Sequence, residues 1–177
     1  MKNREKITKP ICTKAEFVIT PLSTLHSQLL KNGGMFMDRE TNIQKRREDR
    51  QQALQLVYER MFRDDTLEDV RADALDARDE EVSDYAKQLI EGIEAHKDEI
   101  DELIEKNLKG WKINRISKIA LAAMRISVYE MKYIKSVPVS VSINEAVSMT
   151  KKFAADKDGS FVNGVLGAVA KNLSGEK

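Results

Sequence analysis

One cysteine, two histidines and three prolines are all the chain holds of these residue types in 177 positions. The lone Cys12 cannot close an internal disulfide and cannot build a cysteine-rich zinc site. Two histidines leave no His-rich metal or catalytic cluster. With so few prolines and only eight glycines, long uninterrupted helices are possible. The apolar runs are far too short to cross a bilayer. Catalytic signatures are missing too: there is no GxxxxGK[ST], no GxGxxG after a strand, no HExxH and no GxSxG. Carboxylate pairs are plentiful, but they sit in a highly acidic stretch where solvation is the default. The sequence reads as a non-enzyme with no cofactor and no metal.

What is present is charge and helical period. Charged residues make up 33% of the chain and hydrophobic residues 41%, as in a soluble helical protein rather than a disordered one. The length allows one domain with a sizeable core. The net charge of +1 conceals a division: residues 1–62 carry +5, residues 63–106 carry −11 and residues 107–177 carry +7. A fold that joins the two basic ends presents a positive face able to attract a polyanion. Solvated helix faces would give the same counts.

The first 36 residues stand apart. They hold Pro10, Pro21, Gly33, Gly34 and Cys12 without a sustained helical period. Lys9, Lys14 and Glu16 interrupt any signal-peptide core. Residues 1–40 are expected to be a disordered extension. Alternatively, translation starts at Met37, with Gly33-Gly34 encoded by a ribosome-binding sequence; the mass of the native N-terminus would decide. The domain proper is expected over residues 41–176.

From residue 41 the pattern is helical. Ala53, Leu54, Val57, Tyr58, Met61 and Phe62 recur every three or four residues. The same segment carries Lys45, Arg46, Arg47 and Arg50 near its start, where a helix dipole favours acids. That cost hints at another use, such as a phosphate backbone; a charged helix end balanced by Glu48 and Asp49 is the alternative. A short helix is expected around Leu67–Leu75. Val82 through Leu108 continue at helical spacing as one helix or two, with His96 a packed or partly exposed residue on the stripe. Gly110 to Asn114 form a break, and Ser117 caps the next helix. Its small residues Ala120, Ala122, Ala123 and Ser127 predict a central, closely packed helix. Arg125 within it needs a partner; Glu130 and Glu145 are the candidates.

Pro138 ends that region. Ser142-Ile143-Asn144-Glu145 reads as a capping box opening a short helix. Asp156-Lys157-Asp158-Gly159 reads as a polar loop. A last helix follows with Phe161, Val162, Val165, Leu166, Val169 and Ala170. Gly164 and Gly167 inside it make sense if another helix crosses closely.

Four segments together resemble the NusB family of bacterial transcription antitermination factors. They are Arg47 to Tyr58, Met124-Arg125-Ile126-Ser127-Val128-Tyr129-Glu130-Met131, Val137-Pro138 with Ile143-Asn144-Glu145-Ala146-Val147, and Lys152-Phe153 through Phe161-Val162-Asn163-Gly164-Val165-Leu166. The likeness spans about residues 41–173. It departs from the family in its N-terminal segment and in the Glu48 and Asp49 that dilute the basic start. The resemblance implies an all-α fold of two small helical bundles and a cytoplasmic, non-enzymatic role. It implies binding of boxA RNA with the ribosomal protein NusE, and work with other Nus factors and RNA polymerase to suppress premature termination, chiefly in ribosomal RNA operons. It implies a monomer or a homodimer. The RNA-binding residues it implies are Lys45, Arg46, Arg47, Arg50, Lys118, Lys157, Phe161 and Asn163. Arginines would hold phosphates, Phe161 would stack on an unpaired base and Asn163 would hydrogen-bond to one; core packing is the other reading of Phe161. Two further functions are weighed. The same fold occurs ahead of a cytosine methyltransferase, which would need a cofactor-binding domain after Lys177. A protein-binding helical scaffold without specific RNA recognition would need neither.

Overall fold

The structure, a computed structural model, describes residues 22–62, 69 and 81–175, with side chains from residue 40 onward. The chain divides into two units, residues 1–40 and 41–177. The described helices are α1 (Leu22–Arg60), α2 (Asp84–Ala95), α3 (Lys97–Lys106), α4 (Lys118–Tyr133), α5 (Val139–Phe153) and α6 (Asp156–Gly175), with a 3₁₀ turn at Ile113–Arg115 before α4. No strand occurs among the described residues, so the fold is all-α as expected. The short helix expected at Leu67–Leu75 lies outside the described residues except for position 69, which is helical. Residues 1–21 of the expected extension lie outside them too. Within the rest of it, α1 begins at Leu22. No proline follows Pro21 until Pro138, and good helix formers such as Leu, Gln, Lys and Met can sustain a helix without a burial period.

The second unit is organised around α4. Every side chain from Ala120 to Glu130 is buried, which the run of small residues permits by letting neighbours approach on all sides. Helices α2, α3, α5 and α6 all pack on it, and α5 and α6 pack on each other. One cluster of buried apolar side chains joins α1 through Ala53, Leu54, Leu56 and Val57 to this centre. The helices thus form two sets, α1–α3 and α5–α6, that share α4. The expected α1 stripe is partly corrected: Tyr58 and Phe62 are exposed and Leu56 is buried instead. At 100° per residue, Leu56 lies close to the Ala53–Val57 side, whereas Tyr58 and Phe62 have turned away from it. Their rings meet each other at 5.0 Å.

The 82–108 stripe resolves into two helices that meet at His96. Ser83 opens α2, its Oγ accepting a bond from the Ala86 amide at 3.1 Å. Ser117 opens α4 in the same way, accepting from Ala120 at 3.3 Å. The break between α3 and α4 turns at Gly110, whose φ of +75° is unfavourable for a side-chain-bearing residue.

Several local expectations are corrected. Arg125 pairs with neither Glu130 nor Glu145. Its Nε and Nη2 donate to the two oxygens of Asp101 at 2.7 and 2.6 Å. Asp101 is brought alongside by α3, whereas Glu130 is five residues on along α4 and points elsewhere. Ser142 is not a cap. Pro138 stands at the start of α5, and Ser142 is buried in the helix with its Oγ 3.2 Å from the Ser127 carbonyl oxygen and 3.0 Å from the Ser127 hydroxyl. Residues 156–159 belong to α6 itself, whose first turn carries Asp156 and Asp158 at the end the dipole favours. Gly164 and Gly167 are not crossing points: a methyl group on either would meet nothing within 4 Å. The close approach is at Gly92, where a Cβ would lie 2.0 Å from the Tyr129 ring.

Candidate nucleic-acid interface

The arginines at residues 46, 47 and 50 sit on a helical surface whose partners come from three other helices. Arg46 lies over the Tyr85 ring of α2, its Cζ 3.9 Å from the ring centre. Such cation–π contacts hold a guanidinium in place while leaving its N–H edges available. Arg47 Nε donates to Glu145 of α5 at 3.0 Å, with half of the arginine side chain still exposed. Arg50 is different. Its side chain is 5% exposed, and its Nε donates to Glu130 of α4 at 2.7 Å. The Tyr85 hydroxyl donates to the same Glu130 oxygen at 2.5 Å. Burial, and then this bond to a carboxylate, push the Tyr85 hydroxyl well above its usual range, so it remains a donor.

Glu130 is therefore the hub of a buried triad. It neutralises Arg50 and fixes the ring on which Arg46 lies. Arg50, expected at the sequence level as a phosphate ligand, is a buried strut, while Arg46 and Arg47 remain at the surface. Lys45 is exposed beside them. Asn42, Lys45, Arg46 and Asp49 of α1 line a cleft of about 440 Å³ together with Glu81, Asp84, Tyr85 and Lys87 at the start of α2.

The other expected residues fall into a second group. Lys118 is exposed in the first turn of α4, a turn without an acid. Lys157 is exposed in the first turn of α6, and Asn163 is exposed on the next turn but one. Phe161 is half-buried: it packs against the core and meets the Trp111 ring at 5.8 Å. The packed part of the ring fits the core reading of Phe161. Helix α5 bridges the two groups. It supplies Glu145 to Arg47, its Lys152 donates to Gln51 of α1 at 2.8 Å, and it runs directly into α6. Trp111 was not singled out at the sequence level. The signal was available as the only tryptophan of the chain, set among Lys109, Lys112 and Arg115.

A separate groove of about 610 Å³ lies between α1, the start of α4 and the end of α5, lined by Leu54, Tyr58, Ile119, Phe153 and polar residues of α1. No group of three or more potential metal-binding side chains occurs among the described residues. No helix there is long and apolar enough to cross a membrane.

The fold and this surface define a helical protein with an organised cationic and aromatic face. The particular family follows from comparison with known proteins. The profile of the NusB family matches residues 47–171. A Clostridium botulinum protein named transcription antitermination protein NusB is 39% identical over 138 residues, covering 69% of this chain and 96% of that protein. A Listeria innocua protein of the same name is 40% identical over 126 residues, covering 71% and 96%. Among solved structures, antitermination factors NusB and NusE in complex with dsRNA match with a TM-score of 0.65 and 31% identity, over 72% of this chain and 96% of that one. The chain belongs to the NusB family.

Proposed function

We propose that this protein is a transcription antitermination factor that binds boxA-type single-stranded RNA together with NusE. In this role it joins other Nus factors on RNA polymerase in the cytoplasm and suppresses premature termination, chiefly in ribosomal RNA operons. The observation that carries the reading is the arginine cluster. Arg46 and Arg47 are exposed guanidiniums held by Tyr85 and Glu145, well inside α1 rather than at its start, since the helix begins at Leu22. A pre-organised guanidinium loses little freedom when it meets a phosphate. Family membership and the NusB–NusE–RNA neighbour support the same reading.

In this scheme Lys45, Arg46 and Arg47 contact phosphates directly, and Arg50 acts through the triad that fixes the Tyr85 ring under Arg46. Lys118 and Lys157 add phosphate contacts, while Phe161 and Asn163 face unpaired bases.

The test is a titration of boxA-type RNA with and without NusE across a salt series. Tighter binding with NusE, selective over scrambled and over double-stranded RNA, is expected. The log-log salt slope should fall by about 0.7 for each phosphate contact removed, as in Arg46→Ala or Arg47→Ala. Equal binding of scrambled RNA, or RNA affinity indifferent to both substitutions, would instead favour a protein-binding scaffold.

A further inference from the structure

We infer that Trp111 is a base-stacking platform that carries the RNA path beyond the start of α6 onto the loop between α3 and α4. The inference rests on the RNA-binding reading above and adds a contact to it. Tryptophan is usually well buried, yet Trp111 is 55% exposed. Its one ring neighbour among the described residues is Phe161, in a tilted contact with 57° between the planes, which leaves the indole face uncovered by that ring. A face of this kind accepts any base, because every base has a π-surface.

The loop is built to hold the ring still. Gly110 makes the turn with its positive φ, and the 3₁₀ turn at Ile113–Arg115 follows. Asn107 anchors the preceding end by donating to the Leu103 carbonyl at 2.8 Å and accepting from Asn172 of α6 at 2.9 Å. Lys109, Lys112, Arg115 and Lys118 follow at three-residue intervals, all exposed. None is paired with a carboxylate among the described residues. Cations flank the indole on both sides along the chain, and half-buried Phe161 is its aromatic neighbour. That setting suits a stacked base carrying phosphates better than the apolar pocket of a protein partner. It also gives Phe161 a defined part, the edge against which Trp111 is propped beside exposed Asn163.

Because Trp111 is the only tryptophan of the chain, its emission reports on this position alone. BoxA-type RNA titrated into the full chain should quench that emission in step with binding, followed independently by the anisotropy of a labelled RNA. Trp111→Ala should weaken binding about tenfold with the salt slope unchanged, since stacking releases no counterions. Trp111→Phe should recover most of the affinity, and Lys109→Ala with Lys112→Ala should lower the slope instead. RNA binding by anisotropy with unquenched emission and full affinity in Trp111→Ala would overturn the stacking role and leave the RNA reading intact. No RNA binding by either readout, alone or with NusE, would overturn both. Emission that responds to NusE but not to RNA would overturn stacking by placing Trp111 in a protein interface.

Discussion

The two cationic regions of the surface are built on opposite plans. At the start of the core-bearing part of α1, each arginine is held by another helix: Arg46 by the Tyr85 ring, Arg47 by Glu145 and Arg50 by Glu130. Around the α3–α4 loop, Lys109, Lys112, Arg115 and Lys118 stand in solvent and the aromatic ring is open. The first plan fixes geometry at the expense of field, because two of its three charges are offset by carboxylates. The second keeps its full charge and leaves the side chains to be ordered on binding, which costs freedom for each one immobilised. A surface that combines them can set a register on one side and adapt to sequence on the other.

The largest expected effect is at the hub of the held region. Glu130→Ala leaves Arg50 buried without a counter-charge and the Tyr85 hydroxyl without an acceptor. Breaking a buried pair from one side costs about 3–5 kcal/mol, so the midpoint of urea unfolding should drop sharply. Trp111→Ala and Lys112→Ala, in the open region, should stay within about 0.5 kcal/mol of the parent. Equal, small shifts in all three would erase the distinction between the regions.

Two glycines draw the same contrast in the backbone. Gly92→Ala adds a methyl group 2.0 Å from the Tyr129 ring. Overpacking of this kind costs about 1–3 kcal/mol and should outweigh the gain in helix propensity of roughly 1 kcal/mol. Gly164→Ala, in open space beside Asn163, should keep that gain and raise the thermal midpoint. A stabilised Gly92→Ala variant would show that Tyr129 can move aside freely.

Much of the fold could be read from the sequence because periodicity records burial. The central helix was announced by Ala120, Ala122, Ala123 and Ser127, and its cap by Ser117. What could not be read was which helix face meets which neighbour. Arg125 needed a partner on any reading, but only the packing of α3 on α4 selects Asp101. Gly92 and Gly164 look alike as letters; a tyrosine 37 residues away in sequence distinguishes them. The capping-box letters at residues 142–145 were spent on other bonds, Ser142 on Ser127 and Glu145 on Arg47. In the candidate site, the basic cluster was legible as composition, whereas its place inside α1 rather than at a helix start, the burial of Arg50 and the exposure of Trp111 are products of the folded chain.

A smaller effect probes the holding of Arg47. Glu145→Gln keeps the side chain's shape but removes the charge that offsets the guanidinium. If pre-organisation dominates, RNA affinity should fall a few-fold; if the offset charge dominates, it should rise by a similar factor with a steeper salt slope. A fall supports the description of this region as geometry over field, and a rise reverses it. Glu145→Gln should leave quenching of Trp111 by saturating RNA unchanged, since the indole lies in the other group.

The smallest effect asks whether burial is what gives the Glu130 pair its weight. Glu99 of α3 makes a similar set of contacts in a more solvated place: it accepts from Lys132 and from the Tyr133 hydroxyl, with 43% of its side chain exposed. The bond from Lys132, and then that from Tyr133, hold its carboxyl below the usual range. A carboxyl whose pKa is lower folded than unfolded contributes stability above its unfolded value of about 4.5, and that contribution fades as pH falls through the folded value. Glu99→Gln should therefore be slightly less stable than the parent at neutral pH and converge with it in acid. Solvent screening keeps the difference small. A neutral-pH loss at Glu99 as large as that of Glu130→Ala would mean that hydrogen-bond number, not burial, sets the cost of removing a carboxylate from this fold.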